Sequence, residues 1–143
     1  MFKAMLKAMV AMNIFFYRLT GGAIGGSMQS LSVLLLTTTG RKSGKTRTVP
    51  LGSFRDGSDY VIIASYAGLP QNPAWYLNLK SNPEATIQIK RQHIQVRAET
   101  ANPEKRRELW ARLIEVAPGY ANYEKRTTRE IPVVILHPLH EKE

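Results

Sequence analysis

A chain of 143 residues is the size of one ordinary domain, with room for a real core and too little for two comfortable ones. Its 43% hydrophobic content excludes a disordered or fibrous polymer, and the absence of cysteine excludes a disulfide framework, a thiolate metal site and a cysteine nucleophile, which fits a reducing cytoplasm. Twenty Lys and Arg against eleven Asp and Glu leave a net charge of +9, which favours anionic partners such as phosphates, carboxylates, nucleic acid or acidic lipids without choosing among them.

The first segment, "MFKAMLKAMVAMNIFFYRLT" (1–20), reads as an apolar helix ahead of a single domain over 21–143. Lys3 and Lys7 precede an uncharged stretch of ten residues, 8–17, half of the roughly 20 that a bilayer core demands. Arg18 stands before "TGGAIGG", where a signal peptide would place small residues directly, so the segment is expected to be retained. Phe2, Leu6, Met9, Asn13 and Phe16 share one stripe, yet Met5, Met12, Ile14 and Phe15 spread apolarity nearly all round. Two ways of burying it stay open. It packs against the domain or a second subunit of a homodimer, or it docks peripherally on the inner face of the cell membrane with Lys3 and Lys7 near anionic headgroups. The GxxxG pairs Gly21 with Gly25 and Gly22 with Gly26 lie outside any apolar 20-mer and read as a flexible turn.

"LSVLLLTTT" (31–39) reads as a buried strand ended by Gly40, and "TRTVPLGSF" (46–54) as a second. Pro50 cannot donate to a ladder, so its strand lies at an edge or carries a bulge there. "DGSD" (56–59) turns into "YVIIAS" (60–65) as a hairpin. "NPAWYLNLK" (72–80) predicts a helix with Asn72 as N-cap and Pro73 at its first position, stopped by "SNP" (81–83). "ATIQIK" (85–90) and "HIQVRAE" (93–99) alternate across a turn at Arg91 and Gln92, with Ile87, Ile89, Ile94 and Val96 inward. "NPEKRRELWARLIEVA" (102–117) predicts a helix with Leu109, Trp110, Leu113 and Ile114 at helical spacing, ended by Pro118 and Gly119. "GYANYEKRTTRE" (119–130) holds another short helix, and "IPVVILHP" (131–138) is the closing strand. About six hairpin-joined strands with peripheral helices, a mainly β chain of α+β type, favour an antiparallel sheet or small barrel.

"TTTGRKSGKTRTVPL" (37–51) looks like a phosphate-binding P-loop, but three residues separate Gly40 from Gly44 where that motif has four, and a strand follows instead of a helix. What remains is Arg41, Lys42, Lys45 and Arg47 within seven residues, beside the hydroxyls of Ser43 and Thr46. A charge-assisted hydrogen bond contributes about 1.5–3 kcal/mol, so two or three converging on one phosphate suffice for micromolar binding. A solvated basic hairpin is the competing reading and the commoner one for such a loop alone. His93, His137 and His140 show no metal-ligand spacing with any carboxylate, and no metal is expected.

"LLLTTTGRKSGKTRTVPL", "VIIAS", "NPAWYLNLKSNP" and "YANYEKRTTREIPVVIL", in that order, make residues 31–138 resemble the deazaflavin (coenzyme F420)-dependent nitroreductase and quinone reductase family. The resemblance implies a split β-barrel of the flavin-reductase-like type. It also implies coenzyme F420, an 8-hydroxy-5-deazaflavin with a phosphate and a poly-γ-glutamate tail, and hydride transfer to a quinone, with activity on nitroaromatics or activated alkenes besides. By resemblance, Arg41, Lys42 and Ser43, with Arg47, Thr48, Val49, Pro50 and Leu51, hold the phosphate and neighbouring groups. Ile63, Ala64 and Ser65 line the ring or linker, and Ala74, Trp75, Tyr76, Leu77 and Asn78 complete the site. Trp75 and Leu79, at i,i+4 spacing, equally suit a core, so Trp75 is expected to pack there while shaping the pocket and Asn78 to turn its amide to the ligand. The chain differs from one relative in that family at Tyr66, where the relative has a Lys directly after the matched Ser, and at Gly52 and Ala117, where it has aromatics.

A reduced deazaflavin brings its own hydride, so the protein needs neither nucleophile nor metal. An acceptor gaining negative charge is stabilised by a hydroxyl donor, for which Tyr120 and Tyr123, three apart on one helical face, and Ser65 are the candidates. The competing reading of the tyrosines is a lid helix with its hydroxyls in water. Three other functions remain in view: an FMN oxidoreductase on a similar barrel, whose cofactor also carries one phosphate; a non-catalytic deazaflavin carrier; and a nucleic-acid-binding barrel. No aromatic stacking strand is present, so nucleic acid is not the expected partner.

Overall fold

The structure is a computed structural model that describes residues 7, 10–12, 14, 18, 27–28 and 31–139. The strands are β1 Ser27–Met28, β2 Leu31–Thr39, β3 Thr46–Asp56, β4 Asp59–Ile63, β5 Glu84–Ile89, β6 Gln92–Thr100 and β7 Val133–Pro138. The helices are α1 Ala74–Ser81, α2 Pro103–Val116 and α3 Tyr120–Lys125, with a 3-10 turn at Tyr66–Gly68. All pairings are antiparallel in the order β1-β2-β3-β4-β7-β6-β5, and β2 pairs again with β5 through Leu35–Gln88, Leu36–Ile87 and Thr37–Thr86. The six long strands therefore close into a barrel, and β1 is a short addition to β2.

Both faces of several strands are buried, which explains why they read as continuous apolar runs. Leu34 and Leu36 of β2, Tyr60 and Ile62 of β4, Ile87, Val96, Val134 and Leu136 meet in one core, the barrel interior. The alternate residues Val61, Ile63, Val133 and Ile135 point outward and are covered by Leu109 and Leu113 of α2 and Tyr120 of α3. On the outer face of β2, Val33 and Leu35 receive Ile14 from the N-terminal segment, whose described residues Lys7, Val10, Ala11, Met12, Ile14 and Arg18 are helical. The remaining N-terminal stripe residues and Gly21, Gly22, Gly25 and Gly26 lie outside the described residues. Among the described residues no helix is long and apolar enough to cross a membrane.

Pro50 pairs with Leu35 on one side, and the β3–β4 ladder begins only at Ser53, so the edge expected for this proline exists locally within a closed barrel. Several expected boundaries move: β3 runs on to Asp56, β7 starts only at Val133, and two further shifts have a local cause. The β5–β6 turn is Lys90 and Arg91, one residue earlier than predicted, because Ile89 pairs with Gln92 and Lys90 takes a left-handed φ of 55° while its carbonyl accepts from Gln88 Nε2 at 2.9 Å. The β4 strand ends at Ile63, two residues early, as Ser65 turns helical and Tyr66 adopts φ 48°.

A further correction concerns α1. Asn72 is not its N-cap; Pro73 holds that position without a side-chain cap, and the Asn72 amide oxygen instead accepts from Arg129 Nη1 at 2.7 Å. In α2 the same Asn-Pro pair behaves as predicted. Asn102 Oδ1 accepts from Lys105 N at 2.8 Å and Pro103 begins the helix, a cap contributing about 1 kcal/mol.

Candidate active site

The loop between β2 and β3 closes on itself through Gly40 N to Lys45 O at 2.7 Å and Gly44 N to Gly40 O at 2.9 Å. Gly44 takes φ 73°, a conformation open to glycine, and Ser43 Oγ accepts from Lys45 N at 3.1 Å. The chain then enters β3, so the loop runs into a strand and not into a helix, and the P-loop reading is excluded by structure as well as spacing. Helix α1 anchors this loop from below. Buried Asn78 accepts from Arg41 N at 3.1 Å and donates to Thr38 Oγ1 at 3.0 Å. At the base of β3, Thr48 Oγ1 hydrogen-bonds Thr37 Oγ1 at 2.8 Å and accepts from Arg18 Nη2 at 3.4 Å.

Above the loop lies a cleft of about 590 Å³ lined by Lys7, Gly40, Arg41, Lys42, Ser43, Thr46, Arg47, Thr48, Val49, Ala74, Trp75 and Asn78. Four of these are cations, and among the described residues none is paired with a carboxylate, whereas Lys105, Arg112 and Arg97 elsewhere are. Unpaired like charges lining one concavity repel each other and relax when an anion enters.

A second pocket of about 220 Å³ is lined by Pro50, Leu51, Gly52, Ile63, Ser65, Tyr66, Pro73, Trp75, Tyr120 and Tyr123. Trp75 belongs to both, so the cleft and the pocket adjoin across one indole. Tyr120 and Tyr123 meet edge to face at 5.2 Å. Burial of its ring, with a smaller contribution from Tyr123, pushes the Tyr120 phenol above its ordinary value, so it remains a protonated donor at neutral pH. Among the described residues no buried side-chain oxygen or nitrogen lacks a partner and no group bonds the Tyr120 hydroxyl, which places that hydroxyl on the side of the pocket that Tyr120 lines and not in the core.

The structure brings Arg41, Lys42, Ser43, Arg47, Thr48, Val49, Ala74, Trp75 and Asn78 to the cleft, and Pro50, Leu51, Ile63, Ser65, Tyr120 and Tyr123 to the pocket. Ala64 is wholly buried and offers its carbonyl to Arg129. Tyr76 and Leu77 line neither space. With about 100° between successive helix residues, Ala74, Trp75 and Asn78 share one face, while Tyr76 turns away to hydrogen-bond Thr100 Oγ1 at 3.2 Å and Leu77 packs on the barrel core. Asn78 lines the cleft as expected and in addition supports the loop, its amide accepting from Arg41 N and donating to Thr38 Oγ1. Sequence reasoning missed Lys7 as a cleft residue, giving its charge a role only in the membrane-docking alternative, and it missed Arg129 altogether.

A closed six-stranded antiparallel barrel carrying a basic cleft beside an apolar, hydroxyl-bearing pocket is the split β-barrel of flavin-reductase-like oxidoreductases. The model of the F420H(2)-dependent quinone reductase family matches residues 9–138, and the chain belongs to that family. It is an oxidoreductase, and the cofactor its family implies is coenzyme F420. An F420H(2)-dependent quinone reductase of Mycobacterium tuberculosis is 41% identical over 126 residues, covering 84% of this chain and 83% of that protein. A solved structure of an F420-H2-dependent reductase superposes with a TM-score of 0.67 at 39% identity, over 73% of this chain and 93% of that one. Another, described as a domain-swapped dimer, superposes with a TM-score of 0.71 at 32% identity, over 94% of this chain and 98% of that one.

Proposed function

We propose that the two adjoining spaces divide the tasks of an F420-dependent quinone reductase: the basic cleft holds the cofactor's phosphate-bearing side chain, and the pocket beyond Trp75 receives the ring and the acceptor. The observation that carries this reading is the continuity of four cations, unpaired with any carboxylate among the described residues, with an apolar pocket lined by two tyrosines. The donor set fits the group, since anionic oxygens match Arg41, Lys42 and Arg47, and an aromatic ring matches Trp75, Val49 and Leu51. When bound, reduced F420 supplies a hydride.

The remaining work falls to the protein. Ser43 and Thr48 donate hydrogen bonds in the cleft, while Pro50, Leu51 and Ile63 exclude water from the pocket. Tyr120 gives its proton to the oxygen on which negative charge develops as a quinone is reduced, and Tyr123 steadies that ring edge-on; Ser65 is a second donor across the pocket. Gly52 and Tyr66 both line this pocket, so these two of the three differences from the family relative bear directly on which acceptor enters. Nitroaromatics and activated alkenes are electron-poor acceptors that the same donors serve.

We further infer a cytoplasmic enzyme that forms a homodimer, supported by the domain-swapped neighbour, with residues 1–20 docking on the inner membrane face where quinones reside. Titrating the purified protein with reduced F420 and then adding a soluble naphthoquinone tests the main reading. The expected result is binding followed by quinone-dependent F420 oxidation; absence of both overturns it, and tighter binding of FMN than of F420 in competition would replace it. Removing residues 1–20 and measuring liposome co-sedimentation tests the membrane contact, with unchanged sedimentation counting against it.

A further inference from the structure

Arg129 stands in the polar stretch between α3 and β7 and lines neither the cleft nor the pocket. Its side chain makes four hydrogen bonds: Nε to Leu69 O at 2.9 Å, Nη1 to Ala64 O at 3.2 Å, Nη1 to Asn72 Oδ1 at 2.7 Å, and Nη2 to Ser65 O at 2.7 Å. Every acceptor belongs to residues 64–72, the connection from β4 to α1, and every acceptor is neutral. The contact is thus no ion pair; the planar fork of the guanidinium gathers four oxygens that a lysine ammonium could not reach together. Burial lowers the guanidinium's affinity for its proton, as expected for a charge set against neutral oxygens.

The gathered segment is under conformational demand. Tyr66 occupies φ 48°, where a bulky side chain stays only under constraint, and Gly68 follows at φ 77°. A Cβ on Gly68 would come within 2.8 Å of Tyr123 O and 2.9 Å of Arg126 Cβ, so the segment lies directly against α3. Within it, Gly68 N donates to Ser65 O at 2.8 Å and Leu69 N to Tyr66 O at 3.0 Å. Ser65 O therefore accepts from both Gly68 and Arg129. One wall of the acceptor pocket carries Ser65, Tyr66 and Pro73, the facing wall carries Tyr120 and Tyr123, and Arg129 joins the first to the chain leaving the second.

We propose that Arg129 is a positioning residue for the acceptor pocket, holding Ser65 and Tyr66 at a fixed distance from Tyr120 and Tyr123 and so setting which quinones fit. The inference rests on the assignment of that pocket to the acceptor. Three variants test it: Arg129→Lys keeps the charge and loses the fork, Arg129→Gln loses both, and Asn72→Ala removes one acceptor while leaving the arginine and three backbone carbonyls in place. The readouts are quinone KM and kcat, the affinity for reduced F420, and amide hydrogen exchange.

Both Arg129 variants are expected to lower quinone kcat/KM by about tenfold or more, mainly through KM, with F420 affinity changed by less than about threefold. Exchange at Gly68 and Leu69 is expected to accelerate while Ile62 and Val134 in the barrel stay protected. Asn72→Ala gives the same pattern at smaller amplitude and carries the test if the arginine variants do not fold. Wild-type kinetics in Arg129→Lys, equal losses in cofactor and quinone binding, or unchanged exchange at Gly68 and Leu69 would each overturn the proposal. A wild-type protein unable to reduce quinones would instead overturn the pocket's assignment, and the exchange pattern would still report on the clamp.

Discussion

Asn78 of α1 and Arg41 of the cleft loop are joined by a hydrogen bond from the Arg41 backbone N–H to Asn78 Oδ1 at 3.1 Å, across 37 residues of chain. The same amide donates to Thr38 at the end of β2, so a single buried side chain fixes both the strand and the loop that grows from it. Arg41, one cation of the cleft, thereby owes its backbone placement to a neutral residue.

Asn78→Ala leaves Thr38 and the Arg41 N–H without a partner, which is expected to reduce unfolding free energy by about 2 kcal/mol and F420 affinity by about tenfold. Asn78→Asp keeps an acceptor for Arg41 but sets a negative charge at the cleft wall. Its loss of affinity should exceed that of Asn78→Ala while its loss of stability is smaller. Thermal melts and fluorescence titration of both variants check this order; equal effects on stability and affinity in the two would contradict it.

Arg47 is exposed and has no carboxylate partner among the described residues, so Arg47→Ala is expected to leave the melting temperature of the free protein unchanged or slightly higher. F420 affinity should nevertheless fall by about tenfold to a hundredfold, the range for one charge-assisted hydrogen bond. The salt dependence of binding should also become shallower, since one fewer cation meets the ligand. Titrations at two ionic strengths supply the comparison.

The strands were legible because both of their faces are apolar and their turns carry glycine and charge; Leu31–Thr39 is found with its predicted ends. Part of the cleft's lining was legible as well: Arg41, Lys42 and Arg47 of the basic loop face it, while Lys45 of the same loop does not and Lys7 arrives from a distant part of the chain. What was hidden depends on distant partners. Asn72 and Asn102 both precede proline, yet only Asn102 caps, because Arg129, 57 residues away, claims the amide of Asn72. The support role of Asn78 is hidden for the same reason, and so is Tyr76's turn toward Thr100.

Tyr120→Phe removes the hydroxyl that reaches the pocket and keeps the ring packing against Tyr123. Quinone reduction should lose about a hundredfold in kcat, with KM and F420 affinity changed by less than about threefold. Since burial holds the Tyr120 phenol above its ordinary value of 10.0, the wild-type rate should show no loss from this group until the solution is more basic than that. Steady-state rates across the neutral and alkaline range test both points, and a kcat in Tyr120→Phe equal to wild type would remove the residue from proton donation.

His137 of β7 ties the barrel's strands together on either side, with Nε2 at 2.8 Å from Glu99 Oε1 on β6 and Nδ1 at 3.0 Å from Asp59 Oδ1 on β4. The Glu99 carboxylate first, and Asp59 after it, raise the imidazole above its ordinary value of 6.5, against an opposing push from burial. A raised value in the folded state means that the imidazolium's contribution is fully present below about 6.5 and is lost as the pH rises through the folded value. The melting temperature should therefore decline from about pH 6 to about pH 8, and His137→Gln should flatten that decline. With the ring 41% exposed the pair is screened, so the contribution is under about 1 kcal/mol and the shift about 2–3 °C. Asp56 acts in the opposite direction. Held below its ordinary range chiefly by the Lys105 ammonium, its carboxylate stabilises above about pH 4 and fails only in acid, so the neutral-pH slope isolates His137. A melting temperature that rises over this interval, or one that declines equally in His137→Gln, would refute the assignment.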